Sequence, residues 1–318
     1  MSSTTKTPPP QVDVSKAVGF KAPPQKVLYN SRDLMLYAIS IGVKQDELKF
    51  LYENEQDFAA FPTYPLVLML KGDNHGVAVY GGGAGDVPGI PAFDPNKLVH
   101  GDQSLEVHRL LPLGGEFELH TTVTGVYDKG KGMVIERTTK MVDPKDPSRP
   151  YSSMKGSAFV RGAGGWGGPK GPKQNAYEPP KDKAPDAIHE DKTNDDLAIL
   201  YRLSGDYNPL HIDPRIAPKV GFKKPILHGL CTYGHAAHAI LKTFGSSDPN
   251  AFKSITGRFT APVYPGDTLV TKMWSVPAES KDQQKIIFQV AAKESGQIVI
   301  NGGCAILAAS NKAPQSKL

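Results

Sequence analysis

Apolar and polar positions alternate along this chain in two tracts, each opened by a stretch of helical spacing and continued by strand-length runs. In the first tract Leu34, Ala38 and Ile41 fall on one face of a helix expected over residues 33–41, with Ser31 placed to cap it. Strand-like runs follow at 103–111, 116–127, 132–142 and 151–160. In the second tract Leu230, Tyr233, Ala237, Ile240 and Leu241 recur at helical spacing after Gly229. Strand-like runs then read at 255–263, 268–276, 285–293 and 297–308. The turns Pro112-Leu113-Gly114-Gly115-Glu116 and Pro265-Gly266-Asp267-Thr268 stand at matching places between strands. This order predicts an α+β chain built from a duplicated unit, in which a mainly antiparallel sheet wraps one helix.

Residues 162–186 are dense in Gly, Pro and Lys, lack any hydrophobic period, and read as a linker between two cores. The expected organisation is a flexible tail over 1–18, a first unit over 19–161, the linker, a second unit over 187–309 and a tail over 310–318. Within the linker Gly162, Gly164 and Gly167 match the dinucleotide pattern G-x-G-x-x-G. That pattern works only where it opens a helix, and Gly168, Pro169, Gly171 and Pro172 forbid one here. The glycines at 81–85 fail in the same way, with Pro88 close behind.

Composition narrows the function classes. Hydrophobic residues make up 39% and charged residues 22%, as in an ordinary globular protein. The net charge of +5 suits an anionic small molecule, but no dense Lys/Arg run marks a nucleic-acid surface. The longest apolar run, at 64–70, is too short to span a bilayer. Only Cys231 and Cys304 occur, so no disulfide framework is expected and a reducing interior fits. The start, MSSTTKTPPPQ, has no apolar core and is not a secretory signal. The closing tripeptide Ser316-Lys317-Leu318 reads as a peroxisomal address, to be recognised by an import receptor.

Chemistry concentrates at residues 201–241. In GDYNPLHIDP, Gly205 permits a tight bend, while Pro209 and Pro214 fix φ, so Asp206, Asn208 and His211 are held in a rigid loop. A carboxylate and an imidazole gripping one water can take a proton from it and return one to a substrate. An Asx turn satisfying only local amides is the bland reading of such a phrase. A second element weighs against it: Pro225 stops regular structure and Gly229 opens a helix whose first amides are unsatisfied. With no side chain, Gly229 lets a thioester oxygen approach its N–H, which would stabilise an enolate. His228, His235 and His238 invite a metal reading. No carboxylate or cysteine lies at a ligand spacing beside them, so core or pocket histidines and no metal are expected. Cys231 has no base placed for it and reads as a small buried residue.

At these residues the chain resembles the hydratase 2 group of MaoC-like (R)-specific 2-enoyl-CoA hydratases, which includes the hydratase unit of peroxisomal multifunctional enzyme type 2. The resemblance is carried by GDYNPLHIDP, KPILHGLCTYG and RFTAPVYPGDTL in the second half. LYAISIG, FPTYPLVL and LVHGDQSLEV carry it in the first. It implies two tandem hot-dog folds, the C-terminal one catalytic and the N-terminal one degenerate, with part of its central helix lost to make room for acyl tails. The implied reaction is reversible syn addition of water to trans-2-enoyl-CoA, giving (3R)-3-hydroxyacyl-CoA, in peroxisomal fatty-acid β-oxidation.

Carried over by motif, Asp206 and His211 are the acid/base pair, Asn208 supports them and the Gly229 N–H holds the thioester oxygen. The resemblance further implies substrate contacts at His100, Gly101, Lys129, Tyr207, Pro209, Leu210 and Phe259. CoA enters as part of the substrate, no separate cofactor is expected, and a homodimer in the peroxisomal matrix is a family expectation. Unlike the multifunctional enzymes, the chain carries no dehydrogenase or sterol-carrier unit, so a separate enzyme would take the product. Two other readings keep the fold: an acyl-CoA thioesterase and a non-catalytic acyl-CoA-binding protein.

Overall fold

The computed structural model describes residues 10–77, 86–94, 97–172 and 177–309. Among these, ten strands form one antiparallel sheet in the order β1-β3-β4-β5-β2-β7-β10-β9-β8-β6. The first half supplies β1 (Gln25–Tyr29), β2 (Leu98–Val107), β3 (Gly115–Asp128), β4 (Gly132–Val142) and β5 (Ser152–Arg161). The second supplies β6 (Ala187–Lys192), β7 (Phe252–Phe259), β8 (Thr268–Val276), β9 (Gln283–Ala292) and β10 (Ile298–Ala308). Each half has its own strands in the order first, third, fourth, fifth, second, and the two orders run outward from the β2–β7 seam. The duplication expected from the turns is therefore a pseudo-two-fold arrangement. Its seam pairs Asp102 with Arg258 and Leu105 with Ile255.

The helices are α1 (Val14–Ala17), α2 (Ser31–Ser40), α3 (Pro65–Lys71), α4 (Leu197–Arg202) and α5 (Gly229–Gly245). In chain order α3 stands in the first half where α5 stands in the second, and it has 7 residues against 17. The shortened central helix implied for the first half is present. α5 packs along β7, β8 and β10. The Tyr233 hydroxyl lies 3.1 Å from the Gln103 carbonyl and 2.8 Å from that of Ile255, stapling both seam strands from below. No helix among the described residues is long and apolar enough to cross a membrane.

Several local expectations are corrected. The cap of α2 is Asn30, not Ser31: its side chain accepts the amides of Arg32 and Asp33, and the Asp33 carboxylate returns to the Asn30 amide in a capping box. β2 begins earlier than expected and β7 ends before residue 260. β1 and β6 escape the apolar pattern because they are short edge strands, β6 alternating between half-buried and exposed residues. The expectation of separate cores also gives way. One apolar cluster runs through both halves, from Tyr37, Tyr64 and Leu105 to Ile255, Tyr201 and Phe288. Described parts of 162–186 cover two smaller clusters: Ala163 and Trp166 pack near Val126 and Ile135, and Tyr177 packs near Trp274 and Cys304. Of the dinucleotide-like glycines, Gly167 serves an internal anion, together with two glycines outside the pattern. The amides of Gly130, Gly165 and Gly167 all bond the Asp128 carboxylate, at 2.7, 2.9 and 2.8 Å. The glycines at 81–85 and the tripeptide at 316–318 lie outside the described residues.

Candidate active site

The loop that carries Asp206 and His211 is seated against the first half of the chain. Gly205, at φ +134°, presses so closely on α3 that an added Cβ would lie 2.6 Å from Lys71 Cβ and 2.7 Å from Lys71 Cα. The Lys71 ammonium is in turn buried on the carbonyls of Leu28 and Asn74, 3.6 Å from Asp33. After Gly205 the Asn208 amide donates to Asp206 Oδ1 at 3.2 Å, and Asn208 Oδ1 accepts the Leu210 amide at 3.0 Å. Turn and site thus coexist: the Asx bonds stiffen the segment that carries the carboxylate. Pro209 starts the single 3-10 turn, Pro209–His211, that delivers His211.

His211 is buried, and its Nδ1–H donates to the Ile226 carbonyl at 2.8 Å. That bond selects the tautomer and leaves the Nε2 lone pair as the basic position. Burial holds the imidazole below its ordinary range, with the Asp206 carboxylate and the Ile226 carbonyl acting in the opposite direction. A neutral imidazole next to a carboxylate is a proton acceptor ready for use.

The start of α5 closes the other side. The Leu227 amide bonds the Val263 carbonyl at 2.8 Å, which anchors the entering chain. The His228 ring stacks on that of His211, centroids 3.7 Å apart and planes 27° apart, and its Nε2–H donates to the Asp206 carbonyl at 3.1 Å. Gly229 is the first helical residue, and the amides of Cys231 and Thr232 already turn back to the His228 carbonyl. Phe259 lies over Gly229, 3.2 Å from where a Cβ would stand. The same ring sits 4.8 Å from that of His100, whose Nε2 is 3.1 Å from Gln103 Oε1. Burial lowers the His100 pKa, and both Asp102 and Asp206 are close enough to oppose that shift. The seam therefore brings His100 of the first half and Phe259 of the second to one place.

The remaining expected contacts are more spread out. Gly101 sits in the bulge between His100 and Asp102, where a Cβ would come within 2.8 Å of Ser157 Oγ. Tyr207 lies under the Arg202 guanidinium at 5.1 Å, and Pro209 and Leu210 form the turn before His211. Lys129 is exposed in the β3–β4 turn, its ammonium on the Lys170 carbonyl and 5.7 Å from the Tyr127 ring. That turn lies at the end of the sheet where β2 begins, the end that carries His100.

Donor atoms of Asp206, His211 and His228 lie within 4.8 Å of one another. One ring nitrogen of each histidine, His211 Nδ1 and His228 Nε2, is taken by a carbonyl, which leaves His211 Nε2, His228 Nδ1 and the Asp206 carboxylate as the donors a metal could use. His235 and His238 are interior histidines paired with carboxylates, Asp191 at 2.6 Å and Glu47 at 2.6 Å. Sequence spacing could not show these partners, which are 44 and 191 residues away. In the sequence His228 reads as one of three core or pocket histidines, and its contact with both Asp206 and His211 is not visible there.

Comparison with known proteins gives the family of the chain. Residues 28–162 match the family model described as MFE-2 hydratase 2 N-terminal domain, and residues 176–297 match that described as MaoC like domain. A protein of Dictyostelium discoideum named probable enoyl-CoA hydratase 2 is 40% identical over 297 residues, covering 93% of this chain and 97% of that one. The mouse peroxisomal multifunctional enzyme type 2 is 39% identical over 289 residues, covering 90% of this chain and 37% of that larger protein. The crystal structure of a MaoC-like dehydratase from Phytophthora capsici superposes with a TM-score of 0.85 at 40% identity, covering 95% of this chain and 100% of that one. With its two hot-dog units, its shortened first central helix and these matches along both halves, the chain belongs to the MaoC-like hydratase 2 family of hydro-lyases.

Proposed function

We propose that the chain catalyses reversible syn hydration of trans-2-enoyl-CoA to (3R)-3-hydroxyacyl-CoA, with Asp206 and His211 acting on one water and the Gly229 amide receiving the thioester oxygen. The observation that carries this reading is the convergence of a carboxylate, a neutral imidazole of defined tautomer and a helix start in a single cluster. His211 Nε2 takes a proton as the water oxygen bonds C3. Negative charge moves to the thioester oxygen, where the Gly229 N–H stabilises it. The protonated pair then returns a proton to C2 from the same face, giving syn addition and regenerating the starting state. CoA enters as part of the substrate, and no separate cofactor is invoked.

The short α3 supports a role for the first half in accommodating the acyl chain, since a full helix there would fill that space. A peroxisomal setting in fatty-acid β-oxidation is supported by the name of the mouse relative. The test is loss of enoyl thioester absorbance with crotonyl- and decenoyl-CoA, joined to chiral analysis of the product. Asp206→Asn and His211→Gln are expected to fold and bind acyl-CoA but barely turn over. Near-normal rates in both, a (3S) product, or release of free CoA thiol from saturated acyl-CoA instead of hydration would each overturn the reading.

A further inference from the structure

We infer that His228 is a positioning residue for this reaction, a strut that fixes the acid/base loop relative to the amide of Gly229. The inference rests on the acid/base reading above. Its starting point is a cap that does not cap. His228 stands immediately before α5, where Ser, Thr, Asp or Asn would satisfy an exposed amide, and its side chain makes no capping bond. The ring turns away from its own helix and spans to the loop.

There it makes two contacts at once. Its Nε2–H holds the backbone carbonyl of Asp206, and its face lies against the ring of His211. One side chain thereby touches both members of the pair, while its own backbone leads directly into Gly229. Proton transfer and oxyanion binding must be in register to well under an ångström, and this residue links the two. His228 is 1% exposed and its Nδ1 has no hydrogen-bond partner among the described residues, so the bond to the Asp206 carbonyl is the polar contact that accounts for an imidazole here. The charged or titratable groups around the stacked rings are Asp206, Arg202 and Tyr201, with His100 reaching them through Asp206. Burial, His211 and Arg202 all disfavour charge on His228, so it can donate its one proton to Asp206 without competing for the proton His211 handles.

Two substitutions separate the two contacts. His228→Phe keeps a ring over His211 and deletes the donor to Asp206. It should lower kcat by about 100-fold, with KM within about twofold and the acid limb of kcat/KM unmoved. His228→Gln keeps a donor of similar reach and removes the stacked ring. It should retain most of kcat, while water reaching His211 moves the acid limb to higher pH. A side chain needed only for folding would lower thermal stability in both without splitting these readouts. The inference is overturned if both variants keep wild-type kcat and acid limb, or if both lose kcat equally with no movement of the limb.

The wild-type chain gives a measurement independent of variant folding. Imidazole ¹⁵N NMR should show His228 protonated at Nε2 and still neutral at pH 6.5, the ordinary imidazole value. An Nδ1–H tautomer, or a ring charged at pH 6.5, overturns the inference. Asp206→Asn run alongside keeps the two ideas distinct: an active Asp206→Asn refutes the acid/base pair itself, whereas an inactive one beside unaffected His228 variants refutes only the strut.

Discussion

Gly205→Ala tests whether the first half of the chain positions the acid/base loop. The new methyl would stand 2.6 to 2.8 Å from Cβ, Cα and N of Lys71. Ordinary contact begins at 3.4 Å, so loop and helix must separate by about 0.8 Å. Neither side yields easily, since Lys71 is tied to Leu28 and Asn74 and the loop is tied to His228. The backbone adds a further cost, because φ of +134° is open to glycine and strained for alanine. Strain of about 1–3 kcal/mol and overpacking of about 1–3 kcal/mol give a loss of about 2–6 kcal/mol if nothing relaxes. If the loop relaxes instead, Asp206 moves by most of an ångström and turnover falls by about 100-fold. Denaturant unfolding and hydration of crotonyl-CoA, measured together, report whichever outcome occurs. Gly221→Ala is the control: φ is +92° and a Cβ there meets nothing within 4 Å, so it should cost about 1 kcal/mol and leave turnover intact. Gly205→Ala with wild-type stability and wild-type turnover would refute the claim that α3 seats the loop.

Gly229→Pro should delete the oxyanion donor while keeping the helix, since proline suits the first helical position and His228 is already extended at ψ 133°. Turnover should fall by about 10²–10³, whereas Gly229→Ala, with the same press on Phe259 but an intact N–H, should lose far less; equal losses would remove the amide from the mechanism. The pH–rate profile should hold its acid limb below the ordinary imidazole value of 6.5, because burial keeps His211 neutral to lower pH, and a limb above 6.5 would contradict that environment. Glu47→Gln should destabilise by about 3–5 kcal/mol in thermal or urea unfolding, since it removes a buried carboxylate that bonds His238, Lys242 and Ser247 across the halves. Burial alone would raise the Glu47 carboxyl, but His238, Ser247 and Lys242 outweigh it and hold it at about 2. Its contribution is therefore present above the unfolded value of 4.5 and lost as pH falls toward 2, so the wild-type stability slope across that window should flatten in the variant.

Much of this molecule was legible in its sequence because the decisive features are local. Strand periodicity, the turn pairs and the onset of a helix at Gly229 depend on near neighbours, and so does a loop stiffened by Pro209 with Asp206 and His211 inside it. What could not be read were contacts between residues far apart in the chain. Asn30 displaced Ser31 as a cap through a reciprocal bond with Asp33 that no apolar pattern records. β1 and β6 were too short and too polar to register, and the shared core became visible only when β2 met β7 across the seam.

By itself the sequence singled out Asp206 and His211 as candidates for acid/base work, located the helix start at Gly229, and showed that two similar units lie in tandem. The tertiary structure decided which nitrogen of His211 is free, through a carbonyl 15 residues away, and that His228 joins the pair to Gly229. It also decided that Lys71 of the first half seats the loop of the second. The physical reason is one of range: a dihedral preference or a spacing acts over a few residues, whereas a lone pair is aimed and a loop is held by whatever folding brings against it.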